Sequence, residues 1–173
     1  MLGAWSGYYT MIGSSAAALT GLMFVVITII SGGNRSPSED GVKTFSTPTV
    51  VHFCTPLFVA ALMLAPFQSL VPIAIILGLA GAAGLLYCAH IGKRTSRLQN
   101  YTPDLEDWSC NVALPFIAYA LLVAGALAMT AFPAPALYAP AIAVVLLIFV
   151  GVHNAWDVVT FLAMDQDADD DID

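Results

Sequence analysis

Charged residues are scarce in this chain of 173 residues. Only 10% are Asp, Glu, Lys or Arg, whereas 59% are hydrophobic and the mean hydropathy is +0.84. A soluble domain carries about 25% charged residues, because its exposed faces must be solvated. The composition therefore excludes a soluble globular protein. Half of the acidic residues lie at positions 165–173, so the net charge of −7 belongs mostly to the end of the chain.

The chain also lacks the motifs of common enzymes and of nucleic-acid binding. It has no nucleophile elbow, zinc-protease helix or phosphate-binding loop, and its five basic residues form no nucleic-acid patch. The three cysteines are too few, and odd in number, for a disulfide framework. We therefore expect no cofactor and no nucleic-acid partner. An enzymatic activity stays open, but the sequence favours a protein without one.

Three blocks without any charged residue divide the chain, namely 1–34, 44–92 and 108–156. A bilayer-spanning helix needs about 20 apolar residues, so the first block holds one span and each longer block holds two. Proline and polar residues at 66–72 and prolines at 133–140 separate the paired spans. The sequence thus predicts an all-α, polytopic transmembrane bundle of five helices in one domain (1–163) with an acidic cytoplasmic tail (164–173), the spans being about 8–30, 48–67, 71–91, 110–132 and 137–160.

The basic residues predict the orientation of this bundle. All five lie between the first and second or between the third and fourth predicted helices: Arg35, Lys43, Lys93, Arg94 and Arg97. Because Lys and Arg near helix ends are retained in the cytoplasm, the N-terminus is predicted outside and the C-terminus inside. Thr47 followed by Pro48 is typical of an N-cap and first helical position, which predicts that the second helix begins there.

Several polar side chains fall near the predicted cytoplasmic boundary. His153 and Asp157 are four residues apart and share a helix face, where a histidine beside a carboxylate could relay protons near neutral pH. Ionisable groups within a span are costly and indicate function by default. The sequence predicts a polar cluster and candidate proton or ion path formed by His153, Asp157, Asn154, His52, His90 and Asn111. A metal site that also uses the cysteines, haem between two histidines, and a purely structural role stay open as alternatives.

A second pattern lies on the first predicted helix. Small and hydroxyl side chains share one of its faces: Thr10, Gly13, Ser14, Ala17, Gly21 and Thr28. This spacing is typical of close helix packing in membranes, which is the favoured interpretation. The alternative is a pore lined by small hydroxyls.

The second and fourth predicted helices resemble each other. The segments 56–65 and 115–124 both begin with proline and continue with apolar residues, and each proline is expected to open the backbone hydrogen bonding locally. A parallel duplication of two hairpins is one explanation, because transporters use internal repeats. Apolar composition alone is the other.

The segment 5–25 has an aromatic pair, Tyr8 and Tyr9, followed by a Gly/Ser/Ala run that ends in Ala-Leu-Thr-Gly-Leu. It resembles the first helix of a group of uncharacterised small multi-pass bacterial membrane proteins. The resemblance covers one of the five predicted helices. It implies a location in the bacterial cytoplasmic (inner) membrane and no activity.

Three functions are compatible with the sequence. The first is an oligomeric channel or small transporter that uses the cytoplasmic-side His/Asp cluster. The second is a non-catalytic auxiliary or assembly subunit of a larger membrane complex, and the third is a metal- or haem-binding membrane redox protein. The expected partners are the lipid bilayer and either further copies of the chain or a larger complex.

Overall fold

The computed structural model describes the backbone of residues 2–32, 39–95 and 108–170, and side chains within 2–28, 48–93, 108–157 and 159–160. All regular secondary structure among these residues is helical, which confirms the predicted all-α class. A single 3₁₀ turn, Leu2–Trp5, precedes the first helix. The helices are α1 (Ser6–Gly32), α2 (Glu39–Leu64), α3 (Leu70–Thr95), α4 (Leu114–Ala128), the four-residue α5 (Pro133–Ala136) and α6 (Tyr138–Asp170).

Four helical segments of the described chain are long and apolar enough to span a bilayer: Leu2–Thr28, Leu70–Lys93, Ser109–Ala128 and Pro133–Asp157. By length and composition, the chain is therefore compatible with an integral membrane protein. The second predicted span, 48–67, corresponds to the shorter apolar segment Pro48–Leu64 of α2. At about 1.5 Å per residue, this segment covers roughly 26 Å, which is less than the hydrocarbon thickness of about 30 Å.

The second helix begins earlier than predicted. It starts at Glu39 and contains both Pro48 and Pro56 in its interior, so the predicted N-cap at Thr47 is wrong. A proline inside a helix removes one backbone hydrogen bond but does not have to end the helix. The residues that precede Pro48 continue the same helical path, although they include the charged side chains that suggested a loop.

The entry to α4 departs from regular α-helical geometry. A π-helical turn covers Ser109–Ala113, and the Leu114 N–H donates to the Ser109 carbonyl, five residues back. Pro115 follows at the start of α4, where it contributes no N–H to the backbone ladder. The predicted local opening at Pro115 is therefore confirmed, because one extra residue is accommodated in the turn that precedes it.

The helices pack as two antiparallel pairs around α6. Helix α1 packs along α2, α3 packs along α4, and α6 lies against both α2 and α4. Helices α2 and α3 are joined by only five residues, yet they make few contacts with each other. The absence of a side chain at Gly125 brings α4 close to α6, since a Cβ there would lie 2.8 Å from the Pro140 ring.

Two contacts fix the level of α6 relative to its neighbours. The Tyr8 hydroxyl of α1 donates to the Ala141 carbonyl of α6 at 2.6 Å. Further along, the Phe53 ring of α2 lies against Gly151 of α6, where a Cβ would be 2.5 Å from the ring. Position 13 of α1 lies beside Ala60, so α1 and α2 run antiparallel. Helix α6 is therefore parallel to α1 and antiparallel to α2.

The similarity between α2 and α4 extends to their buried faces. With the two prolines aligned, the same positions are buried in both helices: Pro56, Val59, Ala60 and Met63 in α2, and Pro115, Ala118, Tyr119 and Leu122 in α4. The hairpins to which they belong are packed differently, since α4 packs closely against α6 whereas α2 hardly contacts α3. The resemblance therefore applies to the two helices and not to the hairpins.

Candidate functional site

The predicted pair on α6 is formed. The Nε2 atom of His153 lies 3.3 Å from Oδ2 of Asp157, in the i,i+4 arrangement. The side chains are 32% and 59% exposed, respectively, so the pair lies on the surface of the bundle. Asn154, the next residue after His153, points the other way and is buried.

The other predicted members of the polar cluster occupy different environments. His90 is exposed on α3, and Asn111 is half-buried in the π-helical turn. His52 of α2, in contrast, is only 1% exposed. The three histidines are therefore a surface residue, a member of a surface ion pair and a core residue, and they do not share one environment.

A separate polar group lies in the core. Thr49, His52 and Asn154 are buried polar side chains in an otherwise apolar interior, and we call these three residues the buried polar layer. Because Phe53 lies against Gly151 and the two helices are antiparallel, Asn154 is about 4.5 Å further along α6, level with the preceding turn of α2. The layer therefore crosses the interface of α2 and α6 at one depth.

Tyr119 of α4 extends this polar region and was not predicted as a site residue. Its ring centroid lies 6.4 Å from that of His52, and its hydroxyl lies 3.1 Å from Oγ1 of Thr55. The Thr55 hydroxyl donates to the Val51 carbonyl at 2.9 Å, so Tyr119 is the donor in the bond that joins α4 to α2. A tyrosine in a helix of small and aliphatic residues is the sequence signal that could have identified it.

The position of Tyr119 depends on a glycine of α3. Its ring occupies the space above Gly84, where a Cβ would overlap the ring atoms. Any side chain at position 84 would displace the ring and the hydroxyl that binds Thr55. Three helices thus cooperate to hold one polar contact beside His52.

Two atoms of the buried polar layer have no hydrogen-bond partner among the residues that the structure describes: Nδ1 of His52 and Nδ2 of Asn154. Leaving a buried polar atom unsatisfied costs about 1–3 kcal/mol, and such atoms are rare in native proteins. The amide Nδ2 is a hydrogen-bond donor, whereas Nδ1 of a neutral histidine is a donor or an acceptor, according to its tautomer. The layer therefore has unused capacity to bind a polar group.

The environment of the layer carries no fixed charge. The buried residues of the described core include no Asp, Glu, Lys or Arg. Among the described residues there is also no group of three or more His, Cys, Asp or Glu side chains that could hold a metal ion. The cysteines differ in environment, because Cys54 is exposed, Cys88 is buried and Cys110 is half-buried. The described part therefore offers no ligand set for the metal site considered from the sequence.

The small-residue face of α1 points away from the rest of the chain. Five of its six predicted members are exposed: Thr10, Ser14, Ala17, Gly21 and Thr28. Only Gly13 makes a close approach within the chain, to Ala60 of α2. Helix α1 instead packs inward through the larger side chains Tyr9, Ile12 and Met23, together with Ala16.

An apolar groove lies between α1 and α6, over Phe53. It has a volume of about 230 Å³ and is open to the surroundings. Its walls are Leu19, Leu22, Met23 and Val26 of α1, and Val152, Ala155, Trp156 and Val159 of α6. The groove is thus on a different side of α6 from the buried polar layer and offers hydrophobic contacts only.

Comparisons with protein-family models, curated proteins and solved structures found no match to this chain. The likeness of segment 5–25 to bacterial membrane proteins therefore stays a resemblance. A functional proposal has to be based on the residues themselves.

Proposed function

We propose that this protein is a small membrane transporter or channel, in which a moving polar solute contacts the buried polar layer. One observation carries the proposal, namely that Nδ1 of His52 and Nδ2 of Asn154 are buried without a hydrogen-bond partner among the described residues. In a chain made mostly of bilayer-length apolar helices, burying unsatisfied polar atoms costs free energy, and such atoms indicate a binding site for a polar ligand.

The packing of the helices supports this proposal. The layer lies where α2, α4 and α6 meet, whereas α2 and α3 have little contact along their length. A bundle with one weakly packed side can admit a solute by a small separation of helices, without unpacking α6 from its neighbours. The surface pair His153–Asp157 starts at the residue next to Asn154 and ends about one turn further along α6, where it would form part of the entrance on the cytoplasmic side.

The proposal includes an oligomer in the bacterial inner membrane, with the N-terminus outside. The small-residue face of α1 is exposed in the single chain, and faces of this kind allow close approach of two helices in a membrane. The basic residues near the junction of α1 with α2 and near the junction of α3 with α4 support the orientation.

Flux through proteoliposomes tests the transport function. Purified protein should raise the permeability of vesicles to at least one class of solute, and His52→Leu and Asn154→Leu should each lower this increase severalfold. His90→Leu is the matched control, because it removes an exposed histidine at the end of a neighbouring helix. Equal flux in all variants, or none in the wild type, would contradict the proposal.

A second candidate is an auxiliary subunit of a larger membrane complex. The apolar groove between α1 and α6 favours it, because helices of a partner could fill such a surface. Extraction from native membranes in a mild detergent distinguishes the two. Co-purification of one stable partner in constant ratio supports the auxiliary role, whereas recovery of this chain alone supports the transporter.

A further inference from the structure

We infer that the ligand of the buried polar layer is a small, uncharged molecule that carries a hydroxyl, amide or carbonyl group. The inference rests on the proposed transport function and names the class of solute. It follows from the charge, the hydrogen-bonding groups and the packing around His52 and Asn154.

The lack of charged side chains in the described core favours a neutral ligand. No acidic or basic side chain lies among the buried residues of the described core, whose polar groups belong to Thr49, His52 and Asn154 and to the buried tyrosines Tyr9 and Tyr119. Transfer of an isolated ion into such an interior costs far more than transfer of a neutral polar group, unless an opposite charge is present.

The second argument is the hydrogen-bonding pattern. Nδ2 of Asn154 requires an oxygen acceptor, and Nδ1 of His52 binds either a donor or an acceptor. Tyr119 donates its proton to Thr55, so the phenol oxygen keeps a lone pair that accepts a further hydrogen bond. A ligand that satisfies these groups presents both an acceptor and a donor, as alcohols and amides do.

The third argument is size. On one side, the layer adjoins the contact between Phe53 and Gly151, and on the other it adjoins Tyr119, whose ring fills the space above Gly84. A methyl group at Gly151 or Gly84 would overlap the Phe53 or Tyr119 ring, so the packing on both sides of the layer is close. Close packing favours a small ligand, and urea and glycerol are small molecules that carry the required groups.

Osmotic measurements on proteoliposomes test this inference. Vesicles that contain the protein are mixed rapidly with glycerol or urea, and light scattering records the swelling that follows solute entry. Parallel samples record leakage of K⁺ and Cl⁻, and a trapped pH indicator records proton entry. We expect wild-type vesicles to admit glycerol or urea faster than protein-free vesicles, with no change in ion or proton leakage.

Two variants and one control make the result specific to the layer. Asn154→Leu and His52→Leu should each lower the protein-dependent rate about fivefold or more, the effect of losing one buried hydrogen bond. His90→Leu should keep the wild-type rate. The helix content and the gel-filtration elution volume of every variant are compared with those of the wild type. If only one of the two layer variants keeps the wild-type values, that variant alone is used for the test.

The outcomes separate the two proposals. Ion or proton flux that depends on His52 and Asn154, without glycerol or urea entry, overturns the uncharged ligand and leaves transport standing. Entry of the neutral solutes at the wild-type rate in both layer variants also overturns the assignment. No protein-dependent flux of any solute contradicts the transport function itself.

Discussion

His52 and His153 both lie near the middle of a long helix, yet their surroundings differ. His52 is enclosed between α2 and α4 and has an unsatisfied ring nitrogen, whereas His153 lies on the surface of α6 and faces Asp157. The unsatisfied atom costs about 1–3 kcal/mol, while an exposed i,i+4 pair contributes about 0.3–0.5 kcal/mol. The enclosed residue, which forms no visible pair, is therefore the stronger candidate for function.

The largest expected effect is on the packing of Tyr119, the tyrosine that lies beside His52. Gly84→Ala places a Cβ within the Tyr119 ring, so the ring must move and its hydrogen bond to Thr55 must break. Forcing extra volume into a packed core costs about 1–3 kcal/mol. Denaturant titration of the purified protein in detergent should show this loss in the free energy of unfolding.

Gly92→Ala is the matched control for that substitution. Position 92 is also a glycine within a long helix, but a Cβ there would lie at an ordinary contact distance of 3.5 Å from Val112. We expect no loss of stability and a gain of up to about 1 kcal/mol, because alanine favours the helix over glycine. A similar loss in both variants would show that Gly84 is not specially constrained.

The next substitution is expected to stabilise the protein instead of destabilising it. His52→Leu removes the unsatisfied Nδ1 atom and keeps a side chain of comparable bulk, so the free energy of unfolding should rise by about 1 kcal/mol. Function is expected to fall at the same time, as at sites where binding is maintained at the expense of stability. A fall in stability of more than about 1 kcal/mol would mean that the imidazole has a structural role instead.

A smaller loss is expected for the Tyr119 hydroxyl. Tyr119→Phe removes the donor of the bond to Thr55 and leaves the ring in place, which should lower the free energy of unfolding by about 1 kcal/mol. Tyr138→Phe, which alters an exposed tyrosine at the start of α6, should change it by less than about 0.5 kcal/mol. Equal effects would remove the distinction between the two positions.

The smallest effect is expected on the surface side of the comparison. Asp157→Asn removes the charge opposite His153, and because both groups are partly exposed, solvent screens their interaction. The loss in stability should stay below about 0.5 kcal/mol and should disappear in high salt. A loss above about 1 kcal/mol that persists in salt would place His153 among the strongly coupled groups.

The helical class and the approximate positions of the helices could be predicted from the distribution of charge. The charge-free blocks correspond to α1, to α2 with α3, and to α4 with α6. The start of α2 could not be predicted in this way, because Glu39, Asp40 and Lys43 resemble a loop in composition and nevertheless belong to the helix. Charge indicates where a helix leaves the apolar medium, not where its backbone hydrogen bonding begins.

The facing of the polar residues could not be predicted. In a soluble helix, polar residues mark the outer face, but a helix that is apolar on all sides carries no such pattern. His52, His90 and His153 were therefore grouped by their position along the predicted spans, although of these three only His52 is buried. The same ambiguity left open which neighbour the small residues of α1 would face, and most of them are exposed in the single chain.

Helix α6 has a mechanical consequence through its length. Its 33 residues form one continuous helix from Tyr138 to Asp170. At about 1.5 Å per residue it measures roughly 50 Å, which exceeds the hydrocarbon thickness of a bilayer by about 20 Å. The helix that packs against α2 and α4 is therefore longer than a bilayer span. A displacement of its acidic end would be transmitted along one continuous helix to Asn154.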